Sequence, residues 1–66
     1  MRHTLKDNTL TLYPEGHIDT NNAGQFEKDA FEAIEEAQGA SLVIDASNLE
    51  YISSSGLRVM MKLMKR

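Results

Sequence analysis

Cysteine is absent from these 66 residues. Disulfide staples and thiolate metal sites are therefore excluded, and the chain reads as one for a reducing, cytoplasmic setting. Tryptophan is absent too, and proline occurs once. Basic residues are scarce through the middle: positions 15–50 hold nine carboxylates and one lysine, Lys28, whereas positions 51–66 hold Arg58, Lys62, Lys65 and Arg66 and no acid. Cations confined to one terminal segment of a chain with net charge −3 do not make a basic domain, so no direct contact with nucleic acid is expected. No apolar run approaches the roughly 18 residues of a bilayer span, and the start "MRHTLKDNTL" lacks the apolar centre of a signal peptide. A soluble chain without membrane insertion is expected.

What is present is a set of short elements sufficient for one domain. A chain of about 60 residues buries only about 60% of its unfolded surface, so the core is thin. "HTLKDNTLTLY" predicts two strands around Asp7-Asn8, a dipeptide that tolerates the positive φ of a tight hairpin. Leu10 and Leu12 alternate with Thr9, Thr11 and Tyr13, and so point to the core. Pro14 has no N–H to donate, which places the strand at an edge or at its end. "EGHIDTNN" leaves the strand and supplies polar caps. From Asn22 to Gln38 the period is helical, with Ala23, Phe26, Ala30, Ala33, Ile34 and Ala37 on one stripe and acids opposite. Asn22 and Gln25 have capping-box spacing, and Gly39 stands where a left-handed cap belongs. "SLVID" reads as a central strand covered on both faces. After a turn, Leu49 and Ile52 return to the core and a second helix begins near Ser54 or Ser55. The predicted fold is α/β, a small mixed sheet with helices packed on it in the order β-β-α-β-α.

The stretch "EYISSSGLRVMM" places three serines and a glycine where that second helix begins. A helix N-terminus leaves up to four N–H groups unpaired, and one capping hydroxyl is worth about 1 kcal/mol. One cap accounts for one serine of Ser53, Ser54 and Ser55. Three chemistries suit such a cluster. A nucleophilic serine needs a glycine two positions earlier in the elbow motif, and Ile52 stands there before Ser54. A phosphate cradle needs a glycine-rich signature that the chain does not contain. A serine that accepts a phosphoryl group fits, since its new charge of about −1.5 to −2 is favoured by the dipole and free amides of a helix start.

"VIDASNLEYISSSGLRVMM" resembles the signature of the STAS domain family, in particular the anti-sigma factor antagonists: an apolar strand ending in Asp, a turn, an aromatic-aliphatic pair, then Asp-Ser-Ser/Ala-Gly-Leu at a helix start. "EGHIDTNNAGQFEKDAFEAI" resembles the family's other stretch, and the two occur in the family's order. The resemblance implies that Ser54 is the phosphorylated serine, modified by a partner that is both a serine kinase and an anti-sigma factor. It also implies that Asp19, Ser53, Ser55, Gly56 and Leu57 form the partner-binding surface, with Asp19 near the serine loop. Ser53 stands where the family has Asp.

The implied protein is a cytoplasmic regulatory module, not an enzyme, with no cofactor or metal. The alternative within the same fold is a STAS module of a transport or lipid-trafficking assembly with a constitutive partner. A small serine hydrolase is the reading from the enzyme class, with only His3 and His17 as possible bases. Family members continue with a further strand and helix, so residues 1–66 read as a single STAS-like domain lacking both. That leaves an open sheet edge and an apolar arc of Leu57, Met60, Met61, Leu63 and Met64, from which a homodimer, or a partly ordered monomer at low concentration, is expected.

Overall fold

The structure is a computed structural model and describes residues 1–65. Seven elements follow one another: β1 (Arg2–Lys6), β2 (Thr9–Tyr13), β3 (Gly16–Ile18), α1 (Ala23–Glu36), β4 (Ser41–Ile44), β5 (Leu49–Ile52) and α2 (Ser54–Lys65). The α/β class with two helices on a mixed sheet is as expected, but the order gains two strands, β3 and β5. Three or four residues are too few to display a period, and both strands form only because each finds the other. β3 and β5 pair in parallel, with Ile18 opposite Ile52.

Asp7 and Asn8 have φ of 52° and 61°, the pair of left-handed residues that a two-residue hairpin requires. They set β1 antiparallel to β2, Lys6 opposite Thr9. β2 then pairs in parallel with β4, Leu12 opposite Ile44. The three-stranded sheet is ordered β1-β2-β4, so β2 is central and β4 has a strand on one side only among the described residues. This corrects the expectation for "SLVID". Its outward Val43 is 45% exposed, because both helices cover the same face, the one toward which Leu10 and Leu12 point. β2 ends at Tyr13, as Pro14 dictates. The same two stretches of chain pair twice, first as β2 with β4 and then as β3 with β5. Backbone bonds from Asp45 N–H to Leu12 O (2.9 Å) and from Gly16 N–H to Asn48 O (3.0 Å) carry the pairing across the bend.

α1 buries Ala23, Phe26, Ala30 and Ala33, and α2 buries Gly56, Val59 and Leu63. These residues meet Leu10, Leu12 and Ile18 in one core. Alanines along α1 keep its axis close to the sheet, and Phe26 supplies the volume. The helices also touch at the surface, where Lys62 Nζ lies 3.2 Å from Glu27 Oε2, an exposed pair worth at most about 1 kcal/mol. Gly39, with φ of 80°, turns the chain after α1. On α2, Leu57, Met61 and Met64 are 50%, 57% and 63% exposed, while Met60 is half-buried against the core.

The capping box sits one turn earlier than the sequence spacing suggested. Asp19 Oδ1 accepts from Asn22 N–H (3.3 Å) and Asn21 N–H (2.9 Å), while Asn22 Oδ1 accepts from Asp19 N–H (2.8 Å). The reason is backbone geometry. Asn22, at φ −119° and ψ 0°, lacks the extended conformation of a capping residue, and Gln25 turns instead to Asp29 Oδ1 at 2.8 Å. Between β4 and β5, the hydroxyl and N–H of Ser47 both donate to Asp45 Oδ1. The hydroxyl first, and the N–H second, hold the Asp45 carboxyl below its usual 3.8.

A folded-state carboxyl held low adds stability above its unfolded value and loses it as pH falls through the folded value. Replacing Ser47 by Ala removes the hydroxyl donor. Asp45 in the Ser47→Ala protein is expected to titrate nearer its usual value, with less acid sensitivity of folding below pH 3.8 from this turn. An NMR titration of the Asp45 carboxyl carbon in both proteins measures it.

Candidate functional site

The site is built where two parallel strands end side by side. Ile18 and Ile52 are in register, and Ser53 N–H donates to Ile18 O at 2.8 Å. Asp19 and Ser53, distant in sequence, therefore leave adjacent strands together, and each leads into a helix. The carboxyl end of a parallel pair is where such sheets present their functional groups. Sequence spacing alone could not bring these two residues together, because it did not reveal the strands that do so.

The three serines have different roles. Ser53 is the cap of α2: its Oγ accepts from Gly56 N–H at 3.2 Å and its carbonyl accepts from Leu57 N–H at 2.9 Å. Its hydroxyl is half-buried and engaged. Ser54 is the first residue of the helix and is exposed, and Ser55 is half-buried. A cap thus explains Ser53 and leaves Ser54 as the hydroxyl that faces solvent.

Gly56 is buried, and a Cβ there would lie 2.7 Å from Ile52 Cγ1 and 2.8 Å from Ile18 Cγ2. Its lack of a side chain lets the first turn of α2 rest on the β3–β5 pair. This is a packing requirement, and Gly56 offers no side-chain surface to a partner. Leu57 is exposed beside Ser54. Asp19, half-buried, spends one carboxylate oxygen on the turn before α1.

Two features escaped the sequence reading. Ser54, Arg58, Met61 and Lys65 stand at i, i+4, i+7 and i+11, so the exposed stripe of α2 begins at the serine and continues as cations and methionine; the spacing was legible once the helix start was known. His17 and Tyr51 are exposed neighbours across β3 and β5, with ring centroids 6.1 Å apart. No sequence signal paired them, since neither strand was recognised.

Among the described residues no group of three or more His, Asp or Glu is arranged to hold a metal ion, and no helix is long and apolar enough to cross a membrane. A shallow cleft of about 250 Å³ lies between β3 and the first half of α1, lined by Pro14, His17, Ile18, Asn22 and Phe26. No buried polar side-chain atom of the described residues lacks a partner, so the cleft contains no orphaned group aimed at a ligand.

Residues 2–66 match the family profile described as the STAS domain. The chain belongs to the STAS domain family. No curated protein and no solved structure gives a match. In this STAS domain the serine loop and the Asp19 turn are thus parts of one edge, held by the β3–β5 pair.

The role of Gly56 gives a test with a diagnostic sign. At an exposed helix position Gly→Ala stabilises by up to about 1 kcal/mol. Here Gly56→Ala is expected to destabilise by roughly 1 to 3 kcal/mol, as overpacking does, lowering Tm by about 5 to 20 °C for a domain of this size. Thermal unfolding followed by circular dichroism decides it.

Proposed function

We propose that this STAS domain is a phospho-switchable regulatory module that binds a kinase-type anti-sigma factor when Ser54 is unmodified and loses that binding when Ser54 is phosphorylated. The observation that carries the reading is the exposed Ser54 hydroxyl on the first residue of α2, freed from capping by Ser53. STAS membership supports an interaction or regulatory role. The chain acts as substrate and binding partner and not as an enzyme, and needs no cofactor. In the modification, Ser54 Oγ attacks the γ-phosphorus of ATP held by the kinase. The hydroxyl proton passes to a base of that kinase and ADP departs.

Asp19, Ser55 and Leu57 line the edge around Ser54 and would meet the partner, while Ser53 and Gly56 hold the loop in place for it. A phosphoryl group adds about −1.5 to −2 charges in the middle of this surface. Like-charge contact or an unpaired buried charge across an interface costs several kcal/mol, and about 4 kcal/mol is a thousandfold in affinity. The fold is spared because the phosphate enters at a helix N-terminus, where negative charge is favoured.

Incubation with the partner kinase and ATP, followed by mass spectrometric mapping, should place the phosphate on Ser54. Ser54→Ala is expected to bind the partner in the presence of ATP, and Ser54→Asp to bind at least about tenfold more weakly, on the scale of a single interfacial charge. Modification confined to Ser53 or Ser55 overturns the assignment. Binding indifferent to every substitution at Ser54 would point instead to a constitutive partner of a transport or lipid-trafficking assembly.

A further inference from the structure

Resting on the reading of Ser54 as a phosphorylated residue, we propose that Arg58 is the counterion, within the same helix, of the phosphoryl group on Ser54. Ser54 and Arg58 are four residues apart on α2 and both exposed, so they are neighbours on one helix face. The acidic partner stands N-terminal to the basic one, the more favourable order for such a pair. Among the described residues the ion pairs are those of the N-terminal amine with Asp29 and of Lys62 with Glu27, and Arg58 belongs to neither. No acid occurs from residue 51 onward, so no carboxylate of α2 competes for its guanidinium. A guanidinium also suits phosphate better than an ammonium does, since its fork can donate two N–H bonds to one group.

Neighbouring cations do not fill this role. Lys62 is held toward Glu27 on α1, 3.2 Å away, and Lys65 lies eleven positions after Ser54, about three turns along the helix. Ser53 carries no charge and its hydroxyl is spent on Gly56 N–H. Ser53 adds no carboxylate beside the Ser54 phosphate, and the acid at this edge, Asp19, has Oδ1 engaged by the N–H groups of Asn21 and Asn22 and is common to all the proteins compared below. Phosphorylation then changes two features of the docking stripe together: it adds an anion at Ser54 and ties down the exposed cation one turn later.

The test installs phosphoserine at position 54 during synthesis of the full chain, so it does not depend on any kinase. Phosphorus NMR then follows the second phosphate ionisation, which lies near pH 6 for an unpaired phosphoserine. The folded chain is expected to titrate lower than its urea-unfolded form. Arg58→Gln should raise the folded value by roughly 0.2 to 0.4 pH units, the size of an exposed i,i+4 ion pair, and Arg58→Lys should recover part of the shift. About 0.5 M salt should shrink the difference, since it is a surface interaction. The amides and dipole of the helix start act equally in all these proteins, so the difference reports on Arg58 alone. Equal titration of the Arg58 and Arg58→Gln proteins at low salt, with the Arg58 Nε resonance unmoved on phosphorylation, overturns the proposal. Absence of kinase modification at Ser54 would instead overturn the functional reading and leave this measurement intact.

Discussion

The approach of Gly56 to Ile18 and Ile52 is the contact on which the geometry of the serine loop depends. A helix can rest its first turn directly on two strand ends only if the residue facing them has no side chain, and the distances at Gly56 leave no room for one. From that contact the rest follows. α2 starts immediately after β5, Ser53 is left between strand and helix with its hydroxyl on Gly56 N–H, and Ser54 is turned outward. The parallel pairing that presents Ile18 and Ile52 also delivers Asp19 to the same edge.

The electrostatic character of the edge comes from how charge is divided between the two helices. α1 carries five of the ten acids and α2 carries cations with no acid, and among the described residues the bridge from Lys62 to Glu27 joins them. Its energy is small, as for any exposed pair. Its effect is to commit one cation to the helix interface and leave Arg58 on the stripe that begins at Ser54. A chain with mild net negative charge thus presents, running from an exposed hydroxyl, a helix stripe with Arg58 and Lys65 and no acid, a combination that composition averages away.

Stability in so small a domain rests on a few side chains. Leu10 and Leu12 from the central strand, Phe26 and the alanines of α1, and Val59 and Leu63 of α2 make up most of one core. Each fully buried aliphatic contributes roughly 1.5 to 3 kcal/mol, a large share of the net stability expected of a domain this size. The open flank of α2, with Leu57, Met61 and Met64 exposed, adds nothing to that core.

What the sequence by itself determined was local. The hairpin at Asp7-Asn8 was legible because two adjacent residues tolerating positive φ are rare outside such turns. α1 was legible because a long helical period averages over many residues, and the start of α2 because serines before an apolar run have a capping chemistry. The serine cluster could be read as a site, and STAS membership foreseen, from motif order. Tertiary structure decided the rest. β3 and β5 are too short to announce themselves, and their pairing joins residues more than thirty positions apart. β4 has the composition of a buried strand, yet it lies beside β2 with one face bare, since burial depends on what covers a strand and not on its residues. Asp19 and Asn22 form the box expected of Asn22 and Gln25, because the folded backbone at Asn22, and not the spacing, takes that residue out of the conformation of a cap. The division of labour among Ser53, Ser54 and Ser55 was also tertiary: identical side chains differ only in what the β3–β5 pair and Gly56 place around them.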